Sequence, residues 1–144
     1  MKSALAVLAL FFSFSANSIA AELSDADTGT YEWLNPKGEP TGVLYRLSRS
    51  SEGKWVAEGF IPGQGWKNVG CDVGCEYRNS ASDEVQKYFP ASWITNADIS
   101  CIQNVAQAFC RYSGKTDPNR NGHVVIALTS GKPIPVMVRK VRGN

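Results

Sequence analysis

Strand-sized segments between breaker clusters constrain this chain more than any other feature of its sequence. Asn-Pro-Lys-Gly-Glu-Pro at 35–40, Ser-Ser-Glu-Gly at 50–53 and Pro-Gly-Gln-Gly at 62–65 interrupt the first half. Their spacing, about ten residues, leaves room for short strands joined by tight turns. The side chains between the breakers agree. Tyr31 and Trp33 stand two apart. Val43, Tyr45 and Leu47 alternate with Leu44, Arg46 and Ser48, and Trp55, Ala57 and Gly59 alternate with Val56, Glu58 and Phe60. A period of two puts each set on one face of a pleated strand. Four antiparallel strands are predicted here, the last over 66–69.

The second half mixes patterns. Asp83 and Glu84 suit a helix start, Val85, Tyr88 and Phe89 follow at helical spacing, and Pro90 stops the run. A short helix over about 82–89 is predicted, with Trp93 and Ile94 plugging one end of the core. The apolar run 124–128, bounded by a loop at 117–122 and a turn at 130–133, reads as a buried central strand. A strand over 136–141 follows, and its neighbours Arg139, Lys140 and Arg142 either blunt a sheet edge or meet a partner. The expected fold is mainly β, a small antiparallel barrel or sandwich of seven to eight strands with one short helix.

Four cysteines, Cys71, Cys75, Cys101 and Cys110, form an even set, and disulfides are the natural reading in an exported chain. Their geometry bears on the ambiguous segment 98–112. As a helix, it would hold Cys101 and Cys110 about 13.5 Å apart along the axis, too far for a bond that needs Cα atoms within about 7 Å. As a hairpin with Val105 and Ala106 at the tip, it places them opposite one another. Val105-Ala106 is poor turn chemistry, yet local pairing is simple, and Gly74 helps the Cys71–Cys75 ring close. Local pairing, Cys71–Cys75 and Cys101–Cys110, is expected; the alternative is an α+β fold with a helix over 98–112 and cross-pairing.

Export is read from the other end of the chain. Lys2 precedes an apolar run over 4–14 broken only by Ser13, and Ser18 and Ala20 then occupy the small positions a signal peptidase requires. The run is shorter than the roughly 20 apolar residues of a spanning helix. The expected organisation is a cleaved signal over 1–20, a flexible arm over 21–28 and a single globular domain over 29–144. Its location would be periplasmic or secreted, without a membrane anchor.

Charge and chemistry narrow the function. There are 15 basic and 13 acidic residues, a near balance that argues against a general nucleic-acid binder. The distribution is uneven: 21–100 carries twelve acids against seven bases, and 101–144 one acid against seven. Either the two segments neutralise each other across the fold, or a basic face awaits an acidic partner. His123 is the sole histidine and follows a glycine at the start of the buried strand, which suits a strand end better than a base. No serine-hydrolase elbow or phosphate loop is present. No cofactor is expected, and no metal, because the cysteine spacing lacks a second zinc knuckle. The leading expectation is an exported non-enzymatic binding protein, of the inhibitor or immunity type, for another exported protein. One alternative is a carbohydrate or cell-envelope polymer module using Trp66 and Arg139. The other is a small hydrolase acting through carboxylates, for which Glu58 and Glu76 are the candidates.

Overall fold

The computed structural model describes residues 20–69 and 73–142. Most of the predicted signal segment, and Cys71, lie outside them. The elements are a one-turn 3-10 helix at Asp25–Asp27, then β1 (Gly29–Leu34), β2 (Pro40–Arg49), β3 (Trp55–Ile61), β4 (Gly65–Asn68) and β5 (Arg78–Asn79). Helices α1 (Ser82–Tyr88) and α2 (Ala91–Asn96) follow, and β6 (Ala97–Gln103), β7 (Gln107–Gly114), β8 (Asn121–Ala127) and β9 (Ile134–Arg142) complete the chain. The mainly β, antiparallel fold is as the breaker cadence predicts. Among the described residues there are nine strands, the two-residue β5 included, and a second short helix, α2, packs Trp93 and Ile94 against the sheet.

The strands form one sheet, ordered β4-β3-β2-β1-β9-β8-β7-β6-β5 and curled into a half-barrel. Two meanders, one from each half of the chain, are thus joined where β1 pairs with β9. The curl is visible in the core. Tyr45 on β2 stacks on Phe109 of β7 with ring centroids 5.9 Å apart. Four strand spacings separate those strands in the sheet, about 19 Å if it were flat. Tyr31, Leu47, Ala57, Ile102, Val125 and Val138 close round this pair on the concave side. The alternation read from β2 and β3 is therefore the alternation of core and exterior.

The exterior is treated unequally along the sheet. Over β6–β9, α1 and α2 cover it, and Val85 and Phe89 pack on Cys101, Ala108, Cys110, Val124 and Ile126. Both faces of β8 are buried, so Val124, Val125 and Ile126 are apolar without alternation. Over β1–β4, no helix among the described residues lies on the convex face. Glu84 anchors α1 by accepting the Ala81 amide hydrogen at 2.8 Å. Hydrogen bonds from Arg78 hold its carboxyl down at about 2.

Residues 98–112 are a hairpin, not a helix: Cys101 lies opposite Cys110 in the β6–β7 register, and the two are disulfide-bonded. Asn104 supplies the turn chemistry that Val105-Ala106 lacks. Its carboxamide oxygen accepts the amides of Ala106 and Gln107 at 2.9 and 3.0 Å, and its Nδ2 donates to the Cys75 carbonyl. Cys75 is also disulfide-bonded; the expected Cys71–Cys75 pairing falls on Cys71 and so outside the described residues.

Two expectations are corrected. Residues 21–28 do not form a flexible arm: Leu23 and Asp27 are 7% and 2% exposed, and Leu23 belongs to the concave core. One large apolar side chain, Leu23, among small and polar neighbours gave no periodicity to read. Strand β9, with Arg139, Lys140 and Arg142, is not a sheet edge, because β1 pairs on its far side.

Candidate functional site

The uncovered convex face of β1–β4 is built by register. Glu32 of β1 lies opposite Arg139 of β9 on one side and Leu44 of β2 on the other. The β2–β3 register, which pairs Tyr45 with Gly59, sets Leu44 beside Phe60, and Phe60 lies opposite Trp66 of β4. Arg139, Glu32, Leu44, Phe60 and Trp66 therefore form one cross-strand row about 19 Å long. The two residues nominated from sequence, Trp66 and Arg139, stand at its two ends. A second row holds Arg46, Glu58 and Asn68.

Side chains on this face are tied together. Trp66 meets Phe60 edge-on with centroids 5.5 Å apart, and the Arg46 guanidinium sits 4.4 Å above the Trp66 ring. Arg46 also donates twice to Glu58 Oε2, at 2.9 and 2.6 Å. At the other end, Arg139 donates to Glu32 Oε2 at 2.9 Å. Phe60 is 41% exposed. The result is a rigid strip of aromatic and apolar groups flanked by neutralised ion pairs. Arg46, Phe60, Leu44 and Glu32 were not nominated from sequence, although Arg46 and Phe60 fall on the outward set of their strands in the alternation pattern.

A second constellation lies on the concave side, at the end where the N-terminal segment docks. Asp27 Oδ1 lies 2.9 Å from His123 Nε2, while Oδ2 accepts from Arg111 at 2.7 Å and from the Ser24 amide at 2.8 Å. Burial opposes ionisation of Asp27. The hydrogen bonds from His123 and Ser24 and the charge of Arg111 outweigh it, so its carboxyl titrates below the ordinary value. The Tyr31 hydroxyl donates to the Asp27 carbonyl, and the rings of Tyr31 and Phe109 flank His123 at 5.0 and 5.3 Å. Burial and the Asp27 charge push the Tyr31 phenol well above its ordinary value.

Arg111 is fully engaged, since its other nitrogen donates to the carbonyls of Ala21 and Glu22. Lys140 donates to the Ala26 carbonyl. The cluster thus clamps residues 21–27 onto the sheet. The buried Asp27 carboxylate and the half-buried imidazole and guanidinium satisfy one another, and among the described residues no serine or cysteine is hydrogen-bonded to His123. Asp27 and Arg111 were missed in the sequence; the one local signal was Ser24-x-x-Asp27, the pattern of a helix start.

The uneven charge along the chain is neutralised in part by these contacts. Arg111 and Arg139, from the basic C-terminal segment, pair with Asp27 and Glu32 of the acidic N-terminal one. Glu58 and Glu76 do not converge. Glu58 binds Arg46 on the convex face, whereas Glu76 pairs with Lys54 at 2.7 Å and lines a cavity of ≈ 660 Å³ that also contains Trp55 and Tyr77.

No family model, curated protein or solved structure matches this chain.

Proposed function

We propose that this is an exported, non-enzymatic binding protein whose convex β1–β4 face docks on another exported protein, in the manner of an inhibitor or immunity protein. The observation that carries the reading is the Arg139–Glu32–Leu44–Phe60–Trp66 row, left open on a sheet whose other half is covered by helices. An exposed Phe packed on partly exposed Trp and Arg side chains presents residue types enriched at protein interfaces. Rigid cross-strand packing also lowers the ordering cost of association.

The charge on the face favours a protein over an anionic polymer. Arg46 and Arg139 are each neutralised by a glutamate, so the strip has no run of free cations. A sugar ring needs an open aromatic face, and Arg46 covers one face of Trp66. The Cys101–Cys110 disulfide is compatible with an oxidising, exported setting. Among the described residues, no helix is long and apolar enough to cross a membrane.

The test is capture from an exported-protein fraction on the immobilised chain at physiological salt. A specific protein retained by the wild type and lost from Phe60→Ala and Trp66→Ala, both still folded by circular dichroism, supports the reading. Capture of nothing, or retention of purified peptidoglycan in a Trp66- and Arg139-dependent manner, overturns it, the latter in favour of the polymer module.

A further inference from the structure

We propose that the free edge of β4 receives an extended, acidic segment of the partner protein as an added strand; this rests on the binding reading above and specifies its mode. The argument starts from main-chain direction. The Val69 amide donates to the Ala57 carbonyl at 3.1 Å. Facing residues in an antiparallel ladder alternate between hydrogen-bonded and non-bonded pairs. In the β3–β4 register, Gly59 with Lys67 and Ile61 with Gly65 are therefore bonded pairs, while Glu58 with Asn68 and Phe60 with Trp66 are not. The N–H and C=O groups of Trp66 and Asn68 point away from β3. Because β4 ends the sheet, these groups have no strand partner among the described residues.

The other end of the sheet offers less. Strand β5 has only two residues, and its Arg78 is bound by Glu84 of α1. An edge of unpaired main-chain groups recognises extended backbone, whose alternate side chains supply the specificity. Here the flanking chemistry differs on the two faces. On the convex side an added strand would run beside Trp66, next to Phe60 and Arg46.

Lys67 selects the occupant. It lies between Trp66 and Asn68, is exposed, and has no carboxylate partner among the described residues. A second copy pairing antiparallel in the register that engages both Trp66 and Asn68 would set the two Lys67 side chains opposite each other, and facing like charges destabilise strand pairs. An aspartate or glutamate on the incoming strand meets Lys67 favourably instead. The fitting partner is therefore an extended segment with an acidic residue on the Lys67 side and apolar residues toward Trp66.

The experiment selects peptides from a displayed random library against the full chain, then measures the affinity of a selected synthetic peptide for the wild type and three variants. Asn68→Pro deletes an outward N–H and is of the kind edge strands tolerate. Lys67→Glu reverses the charge without touching the main chain, which keeps the test decisive if the proline variant does not fold. Enrichment of acidic, β-branched peptides, weakened about tenfold by Asn68→Pro and by Lys67→Glu, supports strand addition. Peptides weakened by Trp66→Ala but by neither of the other two overturn strand addition while leaving the convex-face reading standing. No enrichment, or a concentration-dependent dimer abolished by Asn68→Pro in sedimentation, overturns the acidic-partner proposal.

Discussion

Asp27 and His123 lie 96 positions apart in the chain, and their side chains meet with Oδ1 and Nε2 separated by 2.9 Å. Through this contact and the Arg111 bond, the first described residues are tied to the middle strands of the sheet. Replacing Asp27 with alanine removes the buried carboxylate that the half-buried Arg111 and the Ser24 amide share. Loss of hydrogen bonds to a charged carboxylate costs about 2 kcal/mol when the partner left behind is partly solvated. Urea unfolding of Asp27→Ala followed by circular dichroism should show a loss of that size. A change near zero would mean the cluster does not hold the N-terminal segment.

The same carboxylate gives a pH dependence with a definite sign. The Asp27 pKa is depressed in the folded state, so the folded chain holds its proton less tightly than the unfolded one. Its stabilising contribution is fully present above the unfolded value of about 4 and disappears as pH falls through the folded value. The stability gap between wild type and Asp27→Asn should be constant from about pH 7 to about pH 5 and narrow below about pH 4. Urea midpoints of the two proteins across that range check it; a gap that widens in acid contradicts the assignment.

Disulfide connectivity has a direct readout. No lysine or arginine lies between Cys101 and Cys110 or between Cys71 and Cys75, whereas Arg78 and Lys87 separate the two pairs. Trypsin therefore leaves each expected pair within one peptide. Mass spectrometry without reduction should find both peptides unlinked to each other and each lighter by two hydrogens. Joined peptides would mean cross-pairing. Cys101→Ala with Cys110→Ala should lower stability by about 2–3 kcal/mol, as expected for closing a loop of this length.

Core and face should separate cleanly under truncation. Phe109 is fully buried between Tyr31 and Tyr45, and Phe109→Ala should cost about 4 kcal/mol. Trp66 packs on Phe60 and Arg46 at the sheet's margin and is only partly buried, and Trp66→Ala should cost about 1 kcal/mol. Thermal denaturation of both variants ranks them. The reverse order would place Trp66 in the core and remove it from the binding face.

What the sequence by itself determined is local. Breakers placed the turns, the period of two separated Tyr45 and Leu47 from Arg46 in β2 and Ala57 from Glu58 and Phe60 in β3, and the continuous apolar run through Val124, Val125 and Ile126 marked a buried central strand. The pleat of each strand depends only on neighbours in the chain, so these features are written residue by residue. The tertiary structure alone decided what stands next to what. Pairing of β1 with β9 made Arg139 interior to the sheet and set it in one row with Trp66. Curling of the sheet brought Tyr45 onto Phe109, and docking of residues 21–27 turned a largely polar segment into the seat of a buried Asp27. Such contacts depend on strand order, register and curvature, which arise from packing the whole sheet and leave no period in the sequence. Even the hairpin at Cys101 and Cys110, open between two readings from the residues, was decided this way. The Asn104 carboxamide, held by the Cys75 carbonyl, supplied the turn that Val105 and Ala106 lack.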